Sequence, residues 1–424
     1  MMAYASIRIL HHKVKSLLML IGWVMTSDLP AQSVESLTEA WHQQKAELKI
    51  PNLMLDYQFF INSHLESRTL KAQTKFFESQ KQGLEAINPD SLYRDQLWDH
   101  HYLTYETGLN LDRLMLIRQT GGSFQGGGIF HEPSGQAWYR YLIRLWTGTH
   151  ITPEEVTAYG WEEVRRLQNA MAQLEGPMAP PPQATSREEA VEAAFAAYAD
   201  FLQPRVWQVI PHGPTPPLDV QRGTSRSLSQ VPGYYGRDIL FYNLFDDPFD
   251  LSQVGWLYLH EGIPGHHFQI HSERQANIPA YRQAVSYSGF REGWAAYVEE
   301  LAHEQAWYQN SAQRMSQMKW DLIRSIRLVL DTGINHEGWS DEKAMEVWRS
   351  VLPDDEPIGR REIARVRRWP AQVLTYKIGA KIILDTRKEA LGDDQSDKAL
   401  RAFHSRLLSK GSIPMALVPA LFNR

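Results

Sequence analysis

Residues 260–269 read "HEGIPGHHFQ", an opening that promises an H-E-x-x-H helix and then interrupts it. In that pattern two histidines four residues apart share one helical face, so both imidazoles reach one metal ion. Here Pro264 stands where the second histidine belongs, and the next candidates, His266 and His267, follow His260 by six and seven residues. On a regular helix a residue six positions on is turned by about 240° and raised by about 9 Å, and one seven positions on sits about 10.5 Å along. Zinc needs each nitrogen at about 2.0–2.1 Å, so neither histidine can join His260 on a regular helix. The intervening Gly262, Pro264 and Gly265 are residues that bulge or break helices, through a missing donor and unusual dihedrals. A two-residue bulge returns His266 to the familiar four-residue offset beside His260 and turns His267 about 100° away, to support the site or face a substrate.

A third ligand belongs on a following helix. "FREGWAAYVEE" (290–300) offers Glu292, 26 residues beyond His266, at the start of a run with Trp294, Tyr297 and Val298 on its apolar side. A lone histidine pair is ordinarily a satisfied core pair; His-Glu, Gly-His and a carboxylate-bearing helix together point to a metal site. The 424 residues contain no cysteine, which removes thiol catalysis, disulfides and cysteine-type zinc sites and leaves His and carboxylate as ligands.

With 43% hydrophobic residues the chain can bury a large core. Its formal charge of -5 and scattered basic residues speak against a nucleic-acid partner. The N-terminus reads as a leader over 1–33: Arg8, Lys13 and Lys15 precede the apolar "LLMLIGWVM" (17–25), and "TSDLPAQS" (26–33) offers small residues for cleavage. That run is too short to span a bilayer, and the absence of cysteine leaves no lipid-anchoring residue at the cleavage site, so the expectation is a periplasmic or secreted protein without a stable membrane anchor; the bland alternative is a buried N-terminal helix. Residues 34–424 then form one helical domain, two lobes around a cleft.

Helix starts are marked by Thr152-Pro153-Glu154-Glu155, by Ser186 with Glu189, and by Ser340 before Asp341 and Glu342. Loops are read at 120–128, 176–186 and 211–227; the glycine-rich first one lacks the G-x-x-x-x-G-K-[ST] frame of a phosphate loop. "DILFYNLF" (238–245) is the best strand candidate. The pair His100-His101 has no partner carboxylate pattern and reads as structural or cleft-lining.

"FREGWAAYVEE" resembles the "NEGFASYVE" segment that brings the glutamate ligand in gluzincin aminopeptidases. "LHEGIPGHHFQ", "FREGWAAYVE", "LDTGINHEGWS" (330–340) and "PAQVLTYKIG" (370–379) resemble, in order, four blocks of the bacterial family called domain of unknown function 885, with a looser match through "WYRYLIRLWTGTHITPEEVTAYGWEEV" (138–164). The resemblance covers most of residues 90 to 410. This chain is shorter than typical members at its N-terminal end, and Asn335 precedes the histidine of the third block. The resemblance implies a zinc metallopeptidase of gluzincin type, distantly similar to helical carboxypeptidases and angiotensin-converting enzyme: a mainly α fold with a deep cleft and a small sheet beside the metal helix.

The expected chemistry is one Zn2+ held by His260, His266 and Glu292, with Glu261 as general base toward a metal-activated water. By similarity to related helical peptidases, Tyr376 and His336 are candidate donors to the oxyanion, unless they are ordinary buried polar residues. Gln372 and Lys377 are candidates for holding a substrate carboxylate, although Lys377 reads equally as a solvated surface group. The substrate is then a short peptide. Two alternatives remain at this level: a zinc amidohydrolase acting on a non-peptide amide, and a catalytically idle metal-bearing binding protein.

Overall fold

The computed structural model describes residues 33–51, 67–120, 128–174, 183–213, 215–229, 231–283 and 285–422. The leader read at 1–33 lies outside them, Ser33 apart, as does most of the loops read at 120–128 and 176–186.

The architecture is mainly α, as the pattern of helix starts predicts. Among the described residues six helices come first: α1 (Val34–Glu47), α2 (Ser67–Ala86), α3 (Arg94–Thr120), α4 (Gly135–Thr147), α5 (Pro153–Leu174) and α6 (Glu188–Val209). The middle of the chain forms α7 (Val254–Glu261), α8 (His266–Gln275), α9 (Ala280–Gln283), α10 (Ser288–Glu304) and α11 (Ser311–Asn335). Four more close it: α12 (Asp341–Val351), α13 (Glu356–Arg368), α14 (Leu374–Leu391) and α15 (Asp397–Leu408). Strands are short: β1 (Ala184–Thr185), β2 (Asp219–Arg222), β3 (Gly233–Gly236), β4 (Ile239–Tyr242) and β5 (Phe249–Asp250). One sheet has the order β2-β4-β3, with β2 parallel and β3 antiparallel to β4, Tyr235 opposite Leu240; β1 pairs with β5 alone.

Local chemistry accounts for the element starts. At α5 the Glu155 amide donates to the Thr152 hydroxyl while the Glu155 carboxylate accepts from the Thr152 amide, a full capping box. The Ser340 hydroxyl caps α12 by accepting from the Lys343 amide. The Ser186 start is displaced: α6 begins at Glu188 behind Arg187, which makes no side-chain cap. The predicted strand at 238–245 appears as β4, which starts one residue later and ends three residues earlier.

A continuous hydrophobic cluster runs from Leu37 to Leu421. At its centre lies α11, buried at every position from Asp321 to Asn335. It packs against α5 on one side and against α7, α13 and α14 on others. Because the centre of α11 has no solvent face, its charged residues Asp321, Arg324, Arg327 and Asp331 must find partners inside the protein. Next to it, α10 lies along α14 so closely that a Cβ on Gly293 would fall 2.5 Å from the Gly379 Cα, and one on Gly379 would fall 2.1 Å from the Gly289 carbonyl oxygen. Only glycine permits that crossing.

Candidate metal centre

The helix carrying His260 does not bulge; it stops and restarts. The axis of α7 ends at Glu261, residues 262–265 are non-helical, and α8 begins at His266. The difference from the expected bulge follows from how tightly the chain folds back. A Cβ on Gly265 would meet the His260 carbonyl oxygen at 2.0 Å, so this crossing needs glycine. The buried Trp294 of α10 ties the break in place, its indole N–H donating to the Pro264 carbonyl at 2.8 Å.

The break puts His260 and His266 side by side, ring centroids 4.9 Å apart and nearly perpendicular. From α10 the Glu292 Oε2 reaches within 3.7 Å of His260 Nε2 and 3.5 Å of His266 Nε2. Ligands about 2.0–2.1 Å from a tetrahedral zinc lie about 3.3 Å from one another, so these three atoms fit around one ion with little movement. Glu261 offers a carboxylate oxygen within 4.8 Å of both histidines. It accepts no hydrogen bond from a described residue and lines the cavity beside them.

Behind His260 stands Glu299, one residue that sequence reading missed. Its Oε1 accepts from His260 Nδ1 at 2.7 Å, which leaves Nε2 as the nitrogen that faces Glu292. Carboxylates in this position fix the tautomer and orientation of metal-binding histidines. Glu299 is fully buried, and Arg324 donates to both its oxygens at 2.7 and 2.8 Å. The signal was present: Glu299 follows Glu292 by seven residues, two helical turns along the same face of α10.

Electrostatics follow from this crowding. Burial alone lowers the pKa of His260, but Glu292 and Glu299 more than offset it and raise it to about 9. Against the upward push of burial, the two imidazoles hold the Glu292 carboxyl well below the usual carboxylate range. Burial pushes the Glu261 carboxyl up past the opposing pull of His260 and His266. Without metal, His260 and Glu292 therefore pair as imidazolium and carboxylate, the charge pattern that a cation displaces.

The donors open onto a cavity of about 680 Å³ whose walls come from α4, β3, α7, α8, α10, α11, α13 and α14. Tyr376 and Gln372 line it. The Tyr376 ring stacks on His260, centroids 6.2 Å apart at 22°, and its hydroxyl lies 3.4 Å from Arg365 Nη2, which also donates to Gln372 Oε1 at 2.8 Å.

Three candidates stand elsewhere. Lys377 holds no place in the cavity: it is buried, with Nζ donating to Glu163 at 2.6 Å and to both Asp321 oxygens at 2.9 Å. One residue after Tyr376, it is turned about 100° around α14 and points at α5 and α11 instead. His336 caps the far end of α11, nine residues past the cavity-lining Arg327 and so roughly 13 Å along the axis. There it meets Glu154 at 3.2 Å and stacks near Tyr139. His267 is turned away from the cavity and fully buried, with Nε2 donating to the Pro216 carbonyl at 2.8 Å and Nδ1 lying 3.0 Å from the hydroxyl of Tyr235, which donates to Asp238. It supports the break rather than facing a substrate, and with His271 and Asp238 it forms a second group of metal-type donors. His100 bonds the Leu84 carbonyl and is structural.

Solved structures with the same fold exist. A crystal structure described as "the putative lipoprotein from Colwellia psychrerythraea" matches with a TM-score of 0.64 at 22% identity, over 92% of this chain and 74% of that one. A second, described as "a putative lipoprotein of unknown function from Shewanella oneidensis", matches with a TM-score of 0.65 at 15% identity, over 92% of this chain and 100% of that one. No curated protein matches. The family described as bacterial protein of unknown function (DUF885) matches residues 112–201 and 230–421, the stretch that contains every donor of the centre. With well over half of its length matched, the chain belongs to that family.

Proposed function

We propose that the protein is a zinc-dependent hydrolase of short peptides, with His260, His266 and Glu292 holding one ion. The observation that carries the reading is the convergence of these three donors, at 3.5 and 3.7 Å about Glu292, beside a free Glu261 at the wall of a 680 Å³ cavity. That volume lies within the range of small-ligand sites. Bound there, zinc supplies Lewis acidity and activates a water molecule near neutral pH.

The remaining roles belong to the chain. Glu261 takes the proton from the attacking water on a carboxylate oxygen and returns it to the leaving amine, so that amide plus water becomes acid plus amine. Tyr376 presents its hydroxyl to the oxygen on which negative charge develops, with Arg365 beside it. Glu299 and Arg324 keep His260 in the tautomer that leaves Nε2 free for the ion. Trp146, Trp256 and Trp320 narrow the cavity and exclude water from its walls.

The test is turnover of a panel of dipeptides, tripeptides and blocked peptides by purified, zinc-loaded protein, read by mass spectrometry. Glu261→Gln is expected to keep stoichiometric zinc and lose roughly 10³-fold in rate, the scale of general-base catalysis. Absence of turnover across the panel, or equal activity in the variant, overturns the reading.

We place the protein outside the cytoplasm on the leader pattern at 1–33 and on the lipoprotein descriptions of both structural neighbours. No described helix is long and apolar enough to cross a membrane. Mature protein from the native host is expected to begin near residues 32 to 36; soluble cytosolic protein with Met1 intact refutes this.

A further inference from the structure

Four guanidinium groups line the cavity, and three of them are neutralised within the protein. Arg324 is bonded twice to Glu299, Arg327 donates from Nε to Glu362 at 2.8 Å, and Arg291 reaches both Glu273 oxygens at 3.2 Å. Arg365 is the exception. Among the described residues it forms no ion pair: its Nη2 meets only the neutral oxygens of Gln372 and Tyr376, and its buried Nε has no hydrogen-bond partner. The carboxylates whose charge it feels are already engaged, Glu362 by Arg327 and Glu292 by the two histidines.

A largely buried cation with an open donor is costly unless an anion completes it. We infer that Arg365 receives the free C-terminal carboxylate of the substrate, with Gln372 and Tyr376 setting the plane of its guanidinium. The inference rests on the hydrolytic reading of the cavity and narrows it to carboxypeptidase or dipeptidase type. A carboxylate suits the site better than a phosphate, because one planar fork matches a monoanion and no second free cation stands beside it. The position suits a group close to the bond that is cut, since Arg365 contacts Tyr376 and the Tyr376 ring lies over His260. An ammonium is served less well, because among the described residues the acids lining the cavity, Glu261 and Glu292, both belong to the metal centre.

The experiment compares N-acetylated dipeptides bearing a free C-terminal carboxylate with the same peptides as C-terminal amides. Turnover is followed in the zinc-loaded protein, and binding by calorimetry in zinc-loaded Glu261→Gln. The acid is expected to exceed the amide by roughly 10- to 100-fold in kcat/KM, mostly through KM, which is the range of a buried charge-assisted hydrogen-bond pair. In Arg365→Gln that ratio falls toward one, and Arg365→Lys recovers part of it, with zinc stoichiometry as the control for folding. Equal handling of acid and amide, a ratio that survives Arg365→Gln, or no binding of the acid overturns the assignment. Arg365-dependent binding of the acid with no turnover by any form overturns the hydrolytic reading and leaves the carboxylate site standing.

Discussion

Glu299→Gln should loosen zinc at a centre that Glu299 never touches. Its carboxylate serves His260 Nδ1 and the Arg324 Nη1 on one oxygen and Arg324 and Gln317 on the other. An amide has one oxygen. If that oxygen turns to Arg324, the amide N–H faces His260, Nδ1 must accept, and the proton moves to Nε2, the nitrogen the ion needs. If it turns to His260, Arg324 loses its counter-charge in a position about 4% exposed. Supporting carboxylates of this kind are worth 10- to 100-fold in metal affinity, or about 1.4–2.7 kcal/mol. The uncompensated arginine costs roughly 3–5 kcal/mol of stability in addition. Competition against a chromophoric zinc chelator measures the first quantity and urea unfolding of the metal-free protein the second. The double variant Glu299→Leu with Arg324→Met separates them, recovering stability through apolar packing while zinc binding stays weak. Wild-type zinc affinity in Glu299→Gln refutes the reasoning, because His260 would then be oriented by something else.

His266→Ala is expected to abolish zinc binding by elemental analysis, whereas His267→Ala keeps the ion and loses stability through its contacts with Pro216 and Tyr235; the reverse pattern means the chain resumes in another phase. Lys377→Met should leave zinc content unchanged and lower stability by roughly 1.5–3 kcal/mol, since Glu163 and Asp321 then share only Arg166 as a counter-charge; reduced zinc with unaltered stability would return Lys377 to the site. Burial lowers the pKa of His404 from its ordinary 6.5 to about 4, with Nδ1 donating to the Val209 carbonyl and Nε2 accepting from Tyr297. The unfolded chain therefore takes up this proton first, and stability falls as pH drops from about 6.5 to about 4, by roughly 3 kcal/mol in total. Denaturant titrations across that window should show a shallower slope in His404→Gln; an identical slope in both proteins removes His404 as the cause.

What the sequence made legible was local. The capping box at Thr152 and Glu155, the strand before the histidines and the proximity of His260 to His266 all depend on neighbours within a few residues, where helical geometry leaves few choices. The errors have a common origin in distance along the chain. Lys377 sits beside Tyr376, so both seem aimed at one place, yet its partners Glu163 and Asp321 lie 214 and 56 residues away and pull it to the other side of α14. His336 belongs to a matched block, but the length of α11 carries it past the cavity. Arg365 gave no warning at all, since its meaning is the absence of an acid, and only the packed structure shows which acids have been used.

The glycine crossing of α10 and α14 has a consequence for how the centre tolerates drift. Glu292 adjoins Gly293 and Tyr376 precedes Gly379 by three residues, so the spacing between a candidate ligand and the hydroxyl opposite is set where main chain touches main chain. Backbone atoms do not change size from one sequence to another. Substitutions elsewhere in the core can swell or shrink their own layers while this one separation stays constant, like a hinge pin that keeps its gauge however the doors are rebuilt.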